Sequence, residues 1–194
     1  LVIKKIWCIA LSGMLSFWNT ASIKRKRIYS FLFIFVLSIL VTFAGTLMPL
    51  SDETAHMLSD KVNQIITEND DLASLSVAIF TNNFMLCLPM FIPVFGTLFG
   101  LFVLFSTGIS LGALSIVQGI PSSIALLALM ITPIFWIEFI SYSLGMTESV
   151  WLFRRITQKR WWYLAWTALF IGVTAVLLAI GAVIEAWLIL NAGV

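Results

Sequence analysis

Apolar side chains along this chain come in long runs, not at the alternating or every-third-and-fourth positions of a half-buried strand or helix. A helix needs roughly 20 predominantly apolar residues to cross a hydrocarbon core. Runs of about that length predict transmembrane helices over 28–48, 75–93, 96–118, 122–146 and 162–190. Pro49 ends the first. Residues 72–118 are too long for one crossing and too apolar for a loop, so they divide near Pro93–Gly96 into two antiparallel helices. Gly119-Ile120-Pro121-Ser122-Ser123 then makes a tight turn, with Pro121 at a helix start. Residues 3–18 hold only about a dozen apolar positions. With Trp7, Phe17 and Trp18 among them, they suit a helix lying in the headgroup region. The expected fold is all-α: a polytopic membrane helix bundle of five spans over 28–190, preceded by an interfacial amphipathic segment and basic cluster over 1–27.

Composition agrees with that pattern. The chain is 61% hydrophobic and 10% charged, with mean hydropathy +1.06, where soluble proteins carry about 25% charged residues. Cys8 and Cys87 form no disulfide framework, and Cys87 lies in an apolar run where a thiol packs as a small hydrophobe. One histidine, His56, leaves no zinc or haem spacing, so no metal and no cofactor is expected. Lys4-Lys5 before an apolar run superficially resembles a signal peptide. The basic run 24–27 that follows, with no small-x-small cleavage site before it, argues against that.

Charge distribution orients the bundle. Basic clusters at 24–27 and 154–160 are separated by four crossings and so lie on one side, which the positive-inside rule makes cytoplasmic. The stretch 50–71 holds six acids (Asp52, Glu53, Asp60, Glu68, Asp70, Asp71) against Lys61 alone, and its middle, 54–66, suits a short helix. It is expected outside a plasma membrane, as is the C-terminus. A sixth span at the N-terminus would put Lys4-Lys5 on the unfavoured side. The basic clusters are explained by topology and anionic lipids, so nucleic acid is not an expected partner.

Four intramembrane features invite a role. Gly96, Gly100, Gly108 and Gly112 recur in fours on the third span, near Ser106 and Ser110. Small residues at that spacing let helix backbones approach closely, either within one chain or at a homodimer seam. Asn82-Asn83, beside Thr81, gives the second span a polar band suited to interhelical glue or ligand contact. Glu138 is the single formal charge between Asp71 and Glu148. Placing a carboxyl at mid-bilayer costs roughly 2.5–3.5 kcal/mol on insertion scales. It shares a helix face with Ser141, Tyr142 and Gly145, and Pro133 kinks that helix and frees the carbonyl of Leu129. Measured from a helix end at 146, Glu138 falls level with Ser106 and Thr107. Contact with Asn82 and Asn83 would then need a broken or tilted helix. Such a carboxyl is either a buried hydrogen-bonding group or a substrate or proton site. Glu185 computes to the external end of the last span, snorkels to water, and is given no role.

The run Ile79-Phe80-Thr81-Asn82-Asn83, the glycine-studded helix to Gly119, and Pro133 with a glutamate five residues on resemble the stage II sporulation protein M family. That family's pattern is an Asn-Asn pair, a Gly-x3-Gly helix and a Pro-His-Gly-x-x-Glu motif. Its asparagines fall on Asn82 and Asn83, its proline on Pro133 and its glutamate on Glu138. Ile134 and Phe135 replace the His and Gly, which removes any His–Glu proton relay. The resemblance implies a multi-span membrane protein without known cofactor, which in spore formers acts as a scaffold for wall-remodelling machinery during engulfment.

Three functions compete. A non-enzymatic subunit anchoring other membrane or envelope proteins fits the likeness and the absence of a catalytic cluster. A transporter or permease-like subunit would line a cavity with Glu138, Asn82 and Asn83. A membrane enzyme lacks the nucleophile–base pair or metal ligands such chemistry uses, since Ser106, Ser141 and Tyr142 have no histidine beside them.

Overall fold

The fold is that of a computed structural model, which describes residues 20–192 apart from 70 and 160. The interfacial helix expected over 3–18 lies outside the described residues. Among the described residues seven α-helices follow one another: α1 Ile23–Thr46, α2 Asp52–Glu68, α3 Leu72–Cys87, α4 Phe95–Val117, α5 Ser122–Ile131, α6 Pro133–Thr157 and α7 Leu164–Ala192. A 3-10 turn, Leu88–Phe91, extends α3, and another, Trp161–Tyr163, leads into α7. No strand occurs among the described residues.

Local chemistry sets the ends. Asp71 caps α3 by accepting from the backbone N–H groups of Ala73 (2.8 Å) and Ser74 (3.1 Å), satisfying donors that a helix start otherwise leaves open. Gly119 takes φ +67 in the turn before α5, a conformation that only glycine adopts without strain. Val94 sits at φ +64 between the 3-10 turn and α4, so the expected division near 93–96 is a strained corner. The Ser149 hydroxyl pins that corner by donating to the Ile92 carbonyl at 2.6 Å.

Four helical segments, 23–46, 72–91, 95–117 and 161–191, are each long and apolar enough to cross a membrane. The expected span over 122–146 differs. In place of one kinked helix over 122–146 there are two, α5 and α6, bent by 88° at Thr132. Thr132 is extended (φ −72, ψ 143) and Pro133 opens α6 at a position that needs no N–H donor. The Leu129 carbonyl that the proline frees accepts from both the Thr132 N–H (3.0 Å) and the Thr132 hydroxyl (2.7 Å). A threonine before the proline thus completes the break that the proline alone would only have begun.

α6 also continues through Glu148 to Thr157, where a loop was expected. Its polar residues are sheltered by neighbours rather than by water: fourteen of its twenty-five residues are buried. It forms the centre of the bundle, with α1, α4, α7 and the 3-10 turn after α3 packed around it. Phe135, Phe139, Met146, Met90, Leu104 and Leu178 make the core.

The glycines of α4 face the chain's own elements. A Cβ on Gly108 would strike the Thr42 carbonyl of α1, and one on Gly45 of α1 would strike the Phe105 carbonyl of α4. Gly112 faces Thr46, Gly100 faces Met146 and Met90, and Gly96 abuts the Met90 carbonyl. A Cβ on Gly145 of α6 would come within 3.2 Å of Met90 and Phe91.

The two ends of the bundle differ in charge. Ile23 shares a small surface pocket with Arg154 and Arg155, so both basic clusters gather at one end. At the other end the acidic stretch is a seventeen-residue helix, longer than the 54–66 expected, that buries Ala55 and Ser59 and packs on α4.

Candidate functional site

Extending α6 to Thr157 moves Glu138 away from the basic end by about 16 Å relative to the expected helix end, at 1.5 Å per residue. It meets α3 through Asn83 and lines the same space as Thr107 of α4. The Asn83 side-chain amide donates to Glu138 Oε1, and the Asn82 amide donates to Asn83 Oδ1 at 3.3 Å.

This chain opens into a cavity of about 340 Å³ between α3, α4, α6 and α7. Asn82 and Asn83 come from α3, Thr107 and Ser110 from α4, Glu138 and Tyr142 from α6, and Glu185 from α7. The remaining wall is aliphatic: Leu75, Ala78, Ile79, Leu86 and Ile189. Among the described residues no lysine, arginine or histidine lines it. Tyr142 is only 4% exposed. Glu185 Oε2 is buried without a hydrogen-bond partner among the described residues. The space is rich in acceptors and poor in cations. Among the described residues no cluster of three or more His, Cys, Asp or Glu could hold a metal ion.

Of the residues expected to form a polar site, Asn82, Asn83, Thr107, Glu138 and Tyr142 do come together. Ser106 does not line the cavity. Adjacent residues point about 100° apart on a helix, and Thr107 shares its face with Ser110 instead. Ser141 is fully buried and turns its hydroxyl back to the Ile137 carbonyl at 2.7 Å, which satisfies it within its own helix. Glu185, expected to reach water, faces the same cavity as Glu138. Its signal was present in the sequence, for it is the lone acid of its apolar run just as Glu138 is of its own.

A second polar cluster lies at the basic end. Glu148, 3% exposed, accepts from Arg27 through Oε2 and from the Thr167 hydroxyl through Oε1 at 3.1 Å. The Arg27 guanidinium lies 5.7 Å from the Trp151 ring centroid and 5.4 Å from that of Phe170. Its ionic and aromatic contacts tie α1, α6 and α7 together. Neither Arg27 nor Glu148 had been expected to pair, because both read as residues of water-exposed segments.

The sequence model described as stage II sporulation protein M matches residues 29–188. The chain belongs to the stage II sporulation protein M family. No curated protein and no solved structure gives a significant match. The family match runs from α1 into α7, so the Asn83–Glu138 cluster, the glycine seam and the broken helix fall inside it, while Arg27 of the second cluster lies just before its start. Membership and the several long apolar helices agree in making this a multi-pass membrane protein.

Proposed function

We propose that this stage II sporulation protein M family member is a non-enzymatic subunit that holds partner proteins in a cell-envelope complex. The observation that carries this is α2. It is an acidic helix whose Asp52, Glu53 and Asp60 are exposed while Ala55 and Ser59 are buried, seated on α4 and not left as a loose loop. A charged surface held in a fixed orientation suits recognition of a basic partner. On this reading the membrane is the plasma membrane, the basic end faces the cytoplasm, and α2 and the C-terminus are outside. Partners are other membrane or envelope proteins, with lipid around the bundle. A second copy would meet α4 on its outward stripe of Phe95, Leu98 and Phe102, since its glycines are occupied internally. Purification from native membranes in mild detergent tests the proposal. A stoichiometric companion, lost when Asp52, Glu53 and Asp60 are all changed to Lys, is the expected result; a chain that always emerges alone overturns it.

The cavity favours a second reading, a transporter or permease-like subunit. Polar sites on broken helices near the bilayer middle are how many carriers hold substrate. A Glu138→Gln chain that preserves every flux would remove this reading.

A further inference from the structure

We propose that the cavity between α3, α4, α6 and α7 binds a small organic ammonium ion. The inference rests on the second reading only in requiring that a water-soluble molecule can reach the cavity. Two carboxyl groups, Glu138 and Glu185, line a space that, among the described residues, contains no basic side chain and gives neither an ionic partner. Charge in such a place needs a compensating cation or the loss of both charges. Hydrogen bonding points the same way. Asn83 satisfies one Glu138 oxygen, but the buried Glu185 Oε2 has no hydrogen-bond partner among the described residues, and Tyr142, 4% exposed, lines the same space. An R–NH3+ group brings three donors and a charge to acceptors of this kind, and the Tyr142 ring adds a surface that attracts cations.

The alternatives fit less well. An anion would find no cationic side chain among the described residues that line the space. A divalent metal would find too few ligands among the described residues. A bare monovalent ion would fill little of 340 Å³, a volume within the roughly 300–1,000 Å³ range of small-molecule sites. The aliphatic wall of Leu75, Leu86 and Ile189 provides for the carbon skeleton of an amine what a bare ion would not use.

The test is calorimetric titration of the full chain, purified in detergent, with methylammonium, ethanolamine and tetramethylammonium. Ethylene glycol serves as the neutral match for ethanolamine and sodium as the bare ion. Binding of at least one primary ammonium, absent for ethylene glycol and weaker for sodium, is expected. Glu185→Gln removes no hydrogen bond, so the variant should fold, and it should weaken ammonium binding about tenfold or more. Tyr142→Phe should weaken it by a smaller factor. No binding by any ammonium, equal binding of ethylene glycol, or unchanged affinity in a folded Glu185→Gln chain overturns the site. The wild-type comparison of ethanolamine with ethylene glycol decides even if a variant fails to fold. Flux of the same probes into proteoliposomes separates the two ideas. Ammonium binding without flux keeps the site and removes the carrier, whereas flux of a neutral solute without ammonium binding does the reverse.

Discussion

Glu148 and Glu138 lie ten residues apart on the same helix, yet they inhabit different chemistry. Glu148 is enclosed, with one oxygen on Arg27 and the other on Thr167. Glu138 has one amide partner, a cavity beside it and a second carboxyl across that cavity. A buried carboxylate with both oxygens engaged and a cation at hand is a staple. One with open acceptors and space around it is a place for something else to bind. The difference cannot be read from the acid itself or from its hydropathy window. It resides in what the surrounding helices bring.

The comparison can be broken most decisively at the staple. Arg27→Met leaves Glu148 buried with no cation, a change that costs 3–5 kcal/mol where both partners are buried. Because the Arg27 side chain is 25% exposed, the expected loss lies near the bottom of that range, about 3 kcal/mol. Denaturation in detergent would measure it, and the double variant Arg27→Met/Glu148→Met should recover most of the loss. If Arg27→Met is neutral, the pair is not a staple.

Next comes the seam that lets the helices approach. Gly108→Ala drives a methyl into the Thr42 carbonyl and should destabilise by about 1–3 kcal/mol. Gly172→Ala, which meets nothing within 4 Å, should be neutral or stabilising by up to about 1 kcal/mol through helix propensity. Equal effects at the two glycines would show that propensity, not close approach, governs the seam.

At the cavity the stability effect should be smaller. Asn83→Leu removes two intramembrane hydrogen bonds, the one it donates to Glu138 and the one it accepts from Asn82, a class averaging roughly 0.6 kcal/mol each, and should lower the melting temperature only slightly. A loss as large as that of Arg27→Met would make Glu138 a second staple and erase the contrast.

The smallest effect is expected at Asp71, outside the spans. The Ser74 hydroxyl, then the N–H groups of Ser74 and Ala73, hold its carboxyl below the usual carboxylate range. A lowered folded value means the contribution is full above the ordinary carboxylate range. It fades as pH falls through the lowered value. Asp71→Asn should flatten that acid limb slightly, as followed by melting between neutral and acidic pH.

Much of the architecture was legible because lipid imposes it. Runs of apolar residues near 28–48, 75–93, 96–118 and 162–190 correspond to helices whose ends shift by only a few residues. Asn82, Asn83 and Glu138 stood out because polar groups in hydrocarbon need partners. The central helix was less legible. Its Glu148, Ser149, Arg154 and Arg155 look like the start of a loop when each residue is judged by its own polarity, yet protein rather than water surrounds Glu148, Ser149 and Arg155. With that end at 146, Asn82 and Asn83 were expected at a different depth from Glu138, whereas Asn83 donates to it directly. The completed break was hidden too, since it depends on Thr132 accepting and donating at the same corner, a detail no window average contains.

That corner also decides how much chain the bilayer must accommodate. A continuous helix over 122–157 would be about 54 Å long at 1.5 Å per residue, nearly twice a hydrocarbon thickness of roughly 30 Å. Folding the first ten residues aside at 88° leaves an upright post of about 37 Å. The other piece is a short crossbar whose Ile124, Leu127 and Ile131 stay uncovered. The corner at Thr132 therefore fixes both where the helix that carries Glu138 begins and how much apolar surface is left on the arm before it.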